Sequence, residues 1–341
     1  MARSSIVYIL FLFSGITALI YEVVWTRMLT LAFGHTVYSV SIVLAAFMTG
    51  LGLGSYFSGH AIDHSYGEKI YLDGNKSDKD LSEDLGTSSL LLVYGWIEIL
   101  LFFLCSMISL ILFKFSTVYS WLSFFIPDFW AIQNVVKCLL AFVLMSVPAF
   151  LMGATLPIIS KYYITCKTTL DSRLGVIYGI NTLGAAFGCL LAGFFLIANF
   201  GVLQTVLGAA LLNLFVGVSA IRIYQEVGKT EQGLYFPHFT MPTLAWGQKQ
   251  NIWMIVSFIC GFTALAYEVL WTRLLIFSTS STVYSFSMML GVFLIGISLG
   301  SFLVVAVFRS SLNLRTVLIL LQVGIGIYVI GSLYNMEQLL S

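Results

Sequence analysis

The chain has 341 residues, 59% of them hydrophobic and only 9% charged, with a formal net charge of +1. A soluble domain carries roughly 25% charged residues, so this composition excludes a water-soluble surface and makes the lipid bilayer the main solvent. The near-zero charge balance argues against a nucleic-acid partner. The five cysteines lack any C-x-x-C spacing and read as small apolar residues, not as a disulfide frame or metal site.

A membrane-crossing helix needs about 20 mostly apolar residues. Nine segments qualify in chain order: 5–30, 37–59, 88–113, 132–160, 174–198, 201–222, 251–275, 282–307 and 315–334. Backbone groups cannot stay unpaired in lipid, and these runs do not alternate in polarity, so helices are expected and a barrel is not. The predicted class is an all-α polytopic helix bundle with about nine transmembrane helices. Arg3 followed by an apolar run looks like a signal peptide, but no small-residue cleavage site follows it and the same segment recurs deep inside the chain.

With the N-terminus in the cytoplasm, 12 of the 16 Lys and Arg residues fall on inside segments, and only Arg27, Lys114, Lys137 and Arg273 fall outside. That asymmetry predicts an N-in orientation, in a plasma (inner) membrane. The polar stretch 60–87 reads as a solvated loop. Within it, Asp73-Gly-Asn75-Lys-Ser77 is a weak calcium-loop match, since Asp78 stands where glycine is required. Asn75-Lys-Ser77 is a glycosylation sequon on the cytoplasmic side. Segment 116–130 is aromatic and is expected along the outer interface.

The sequence repeats itself. Residues 15–55 align without a gap on residues 261–301 at an offset of 246, and 22 of the 41 positions are identical. Tyr-Glu-Val-x-Trp-Thr-Arg recurs at the same distance from Thr-Val-Tyr-Ser, which apolar composition cannot produce by chance. Six spans separate the copies, so both should cross in the same direction, as a parallel repeat about an axis along the membrane normal. The expected organisation is a first six-helix repeat at 1–222, a cytoplasmic linker at 223–250, and a partial second repeat of three helices at 251–341. The short second copy leads to the expectation of either a truncated product or further helices from another polypeptide.

Each copy places a glutamate and an arginine in its first helix: Glu22 and Arg27, then Glu268 and Arg273. Charges at membrane depth are costly and face the bundle interior by default. Five residues amount to about 140° around a helix, so pairing is expected between copies, Glu22 with Arg273 and Glu268 with Arg27. Either this is a polar site that binds a cation or relays protons, or it is a structural clamp with snorkelling arginines. Tyr21, Tyr267, Trp25 and Trp271 could wall a cation site or anchor the interface. Glu98 in the third span is a further candidate, with Gln322 as its counterpart in the second copy. Asn181, one turn before Gly184-x-x-x-Gly188, could hydrogen-bond across helices. Gly50, Gly52, Gly54, Gly193, Gly296 and Gly300 mark close packing, and Pro148 and Pro157 are expected to kink the fourth span. No residue pattern implies a catalytic centre, a metal or a cofactor, and His35, His60, His64 and His238 form no facing pair in the spans.

The doubled Gly-x-x-Ala-Leu-x-Tyr-Glu-Val-x-Trp-Thr-Arg motif (15–27, 261–273) resembles the membrane part of the fused major-facilitator/spermidine-synthase family. So do PAFLMGATLP (148–157) and YGINTLGAAFGCLLAG (178–193). The resemblance implies a transporter-like bundle resembling major-facilitator halves, acting on polyamines or another small cation, or else a membrane module that docks an aminopropyltransferase-like enzyme or a larger complex. It also implies a soluble catalytic domain with a Gly-Gly-Gly-Asp-Gly loop, and no such motif stands in this sequence. The enzymatic activity is therefore not carried over to this chain.

Overall fold

The computed structural model describes residues 2–34, 36–72, 88–124, 129–163, 170–227, 248–279, 281–307 and 314–340. These residues form α1 (Ala2–Phe33), α2 (Thr36–Leu72), α3 (Ser88–Phe113), α4 (Phe115–Ser123), α5 (Trp130–Tyr163), α6 (Leu170–Leu191), α7 (Ile197–Val227), α8 (Gln248–Thr279), α9 (Thr282–Val307) and α10 (Leu314–Leu340). A π-helical turn, Ala192–Leu196, joins α6 to α7. No strand occurs among the described residues.

Seven helical stretches are long and apolar enough to cross a membrane: Ser5–Phe33, Tyr38–His64, Ser89–Phe113, Ala131–Tyr163, Arg173–Glu226, Met254–Thr279 and Thr282–Val305. The fifth of these holds two helices. Leu12 and Ile16 of α1 lie against Gly184 and Gly188, so α6 runs parallel to α1. Hydrogen bonds from Ser14 to Glu98 and from Trp25 to Ser109 make α3 parallel to α1 as well. Gly95 of α3 meets Gly217 and Ile221, while Ile99 meets Gly217, so α7 runs the opposite way. The chain therefore reverses between α6 and α7, and it does so at Gly201, whose φ of 78° suits glycine best.

The remaining directions follow in the same manner. Ser146 and Gly153 of α5 meet Ala46 and Ser55 of α2, so these two are parallel. On α9, Ser298 and Ser287 meet Gly179 and Gly193 respectively, which sets α9 antiparallel to α6. Only two residues separate α8 from α9, a tight helical hairpin. Hence α8 points the same way as α1, the relation that the repeat predicts.

Glycines hold the seams. A Cβ on Gly50, Gly54, Gly184, Gly188 or Gly193 would collide with the neighbouring helix, whereas Gly52, Gly296 and Gly300 face open space. The first group permits close backbone approach; the second does not serve packing here. α5 remains one helix through Pro148 and Pro157, and departures from α-helical backbone sit at the π turn and Gly201. Helix α2 also runs past the predicted end at 59 to Leu72, so the polar loop begins later than expected. The acidic run from Asp73, with its calcium-loop and sequon matches, lies outside the described residues, as do residues 228–247 of the linker.

Of the interfacial segment 116–130, the part to Ser123 lies on the short helix α4. It exposes Val118 and Trp121 and buries Phe115 and Tyr119. Lys137 sits over the Tyr119 ring at 4.4 Å.

Candidate functional site

Helix α1 turns Glu22 inward, at 2% exposure, and α8 turns Glu268 inward, at 0%. Each is the same residue of the repeated motif on a parallel helix. The two carboxyl groups lie close enough to feel each other's charge. Cys189, on the last turn of α6 before the π segment, feels both, and its thiol donates to the Ser287 carbonyl at 3.4 Å. Gly193 inside the π turn lies directly against the Ser287 side chain. Four elements thus converge: α1, the end of α6, α8 and α9. The π turn widens the helix where it adjoins the acids, and such turns recur at functional sites.

The polar groups here lack protein partners. Glu268 has none on either carboxyl oxygen, Glu22 has none on Oε1, and the hydroxyls of Thr272 and Ser287 are likewise unbonded. Buried polar atoms are nearly always hydrogen-bonded, so such a cluster calls for an explanation. Two buried acids remote from water have two ways to be satisfied. They bind protons, or they neutralise a cation, with the two hydroxyls completing an oxygen shell.

The expected cross-copy ion pairs do not form. With both oxygens of Glu268 free, Arg27 is not its partner, and no interaction joins Arg273 to Glu22. The reason is the 140° between the residues: with the glutamates inward, Arg273 is exposed and Arg27 half-buried. Long basic side chains reach outward this way.

Tyr21 and Trp25 are fully buried and stack on each other with ring centroids 5.5 Å apart, and Trp25 also packs against Phe47. The Trp25 indole donates to Ser109 Oγ at 2.7 Å. They are core residues, not interfacial anchors. Their repeats, Tyr267 and Trp271, are half-buried. Asn181 lies against Gly15, where a Cβ would strike its backbone carbonyl, so it belongs to the α1–α6 seam and not to the acidic cluster.

Glu98 occupies a separate centre between α1 and α3. It is 0% exposed, its Oε1 accepts from Ser14 Oγ at 2.5 Å, and its Oε2 has no partner. The Tyr94 hydroxyl beside it donates to the Leu10 carbonyl over a long 3.5 Å. In the second copy Gln322 Nε2 donates to Cys260 Sγ at 3.3 Å. Cys260 is the repeat of Ser14 at the offset of 246, so the position of Ser14 in the second copy touches Gln322 of α10 in an exposed contact.

Sequence reasoning missed Ser14, Ser109, Cys189, Thr272 and Ser287. Thr272 was within reach, since it stands four residues after Glu268 on the same helical face. Ser14 and Ser109 are paired through contacts 84 residues distant, for which one sequence holds no signal. Among the described residues no group of three or more His, Cys, Asp or Glu could hold a metal. Two surface clefts, of about 350 Å³ beside Ile16, Ile20 and Gln204 and about 250 Å³ beside Met28 and Leu112, do not include the acids in their lining. The acidic pair is enclosed. No family model, curated protein or solved structure matches the chain.

Proposed function

We propose that the chain is a transporter-like integral membrane protein that binds, and moves, a small cationic solute such as a polyamine between Glu22 and Glu268. The observation that carries the reading is a pair of buried carboxyl groups, one from each repeat, with unpartnered oxygens and two unpartnered hydroxyls beside them. A site between repeated halves at membrane depth is where many secondary transporters bind substrate. In this reading the chain crosses the membrane nine times with its N-terminus in the cytoplasm of a plasma membrane. Its halves resemble those of major facilitators, and it is related to the membrane part of the fused major-facilitator/spermidine-synthase family. The alternating helix directions, and α1 and α8 running the same way, favour that arrangement.

Proteoliposomes holding the full chain test this with labelled spermidine as probe. Uptake should fall on the order of tenfold or more in Glu22→Gln and in Glu268→Gln, the loss of about 1.4 kcal/mol or more of binding. Unchanged uptake in both variants would sink the proposal.

A second reading has its own observation. Phe258, Gly261 and Phe262 of α8 repeat Leu12, Gly15 and Ile16 of α1, which pack on α6, yet on α8 they are open. In this reading the face takes further membrane helices or anchors an aminopropyltransferase-like enzyme from another chain. Purification in mild detergent separates the two readings: a partner at fixed stoichiometry favours docking, and a lone chain stabilised by the cation favours transport.

A further inference from the structure

We propose that Glu98 is a proton-holding site, separate from the acidic pair, and that α1 senses its protonation through Ser14. The geometry is a closed one. Glu98 lies wholly inside the α1–α3 contact, with one oxygen held by Ser14, the other without a hydrogen bond, and the Tyr94 hydroxyl beside it. The titratable groups facing it are Tyr21 from α1 and Tyr94 and Cys105 from α3. Among the described residues no basic side chain bonds to it. With no cation supplied by the protein, the free oxygen is placed to take a proton.

The second copy offers a contrast. There Gln322 of α10 donates to Cys260 of α8, an exposed contact made by an amide, which cannot titrate. The buried carboxyl group of the first copy has the capacity to gain and lose a proton. The step is balanced by one proton from water: Oε2 takes it, and the interior charge changes by one. Hydrogen bonds to an ionised acceptor are about twice as strong as neutral ones. Protonation at Oε2 thus loosens the Ser14 bond to Oε1, and with it the grip of α3 on α1. Glu22 stands about two turns further along that same helix, so the signal runs toward the acidic pair. The site itself does not depend on what that pair binds.

Difference infrared spectra of the full chain in lipid nanodiscs, between alkaline and acidic buffer, provide the test. The wild type should show a carbonyl-stretch change from a protonated carboxyl group. Glu98→Gln should abolish it, Ser14→Ala should shift its frequency, and the Glu22→Gln/Glu268→Gln double variant should retain it. A Glu98→Gln spectrum that superimposes on the wild type overturns the site. An unshifted band in Ser14→Ala overturns the sensing, and loss of the band in the double variant overturns its separateness. Should Glu98→Gln fail to assemble, the Ser14→Ala shift and the double variant still decide.

Discussion

Helices α1 and α8 carry nearly the same sequence and meet different surroundings. α1 is packed on most sides, by α2, α3, α6 and α7, and buries Val7, Phe11, Tyr21, Trp25 and Leu29 completely. Among the described residues of α8 only Glu268 and Thr272 are buried, while Phe258, Phe262 and Leu270 are largely exposed. The contrast isolates what matters. Burial of Glu22 alone could be a by-product of a crowded helix. Burial of Glu268 on an otherwise open helix cannot be, because the helix turns its one acid inward and leaves its large apolar residues outside. That is the expected behaviour of a polar group in lipid.

The comparison breaks or sharpens most directly at its glycines. Gly15 and Gly261 are repeat equivalents, but a Cβ on Gly15 strikes Asn181 and one on Gly261 meets open space. Gly15→Leu should cost about 3 kcal/mol or more by overpacking, while Gly261→Leu should change little; thermal unfolding in detergent measures both. Equal losses would show that α8 is as enclosed as α1.

A smaller effect is expected at the acids. Spermidine or another diammonium probe should raise the thermal midpoint of the wild type, and Glu268→Gln should remove most of that rise at a probe concentration near the dissociation constant. A full rise in the variant would detach Glu268 from binding.

Smaller again is the indole bond. Trp25→Phe leaves Ser109 without its donor and should cost about 1 kcal/mol, against nearly nothing for Trp271→Phe, whose indole makes no hydrogen bond. Matching losses in denaturation curves would refute the asymmetry. Smallest is the end of α5, where the Arg173 guanidinium donates to the Tyr163 carbonyl at 2.5 Å. A cation at a helix C-terminus is worth about 0.3–1 kcal/mol, and Arg173→Gln should lower stability by that amount at low salt and less at high salt.

Much of this was legible in the sequence. The apolar runs gave the helices, because lipid leaves the backbone no alternative. The repeat gave the common direction of α1 and α8 and singled out Glu22 and Glu268. What sequence could not supply was rotation and partnership. The arginines were expected to bridge the copies, yet 140° of helix carries them outward once the glutamates point in. Tyr21 and Trp25 looked like interface anchors, because aromatic residues near a span end usually are, but their neighbours Phe47 and Ser109 come from distant segments. The π turn at Ala192–Leu196 is announced by no residue type.

The seam between α6 and α9 has a mechanical consequence. It runs from Gly175 beside Val305 to Gly193 beside Ser287, with Gly179 and Gly291 between them. Side chains of the facing helix seat in these notches, Val305 at Gly175, Phe302 at Gly179 and Leu190 at Gly291, so the two helices interlock and resist sliding. Any displacement of α9 along α6 would first have to unseat these side chains.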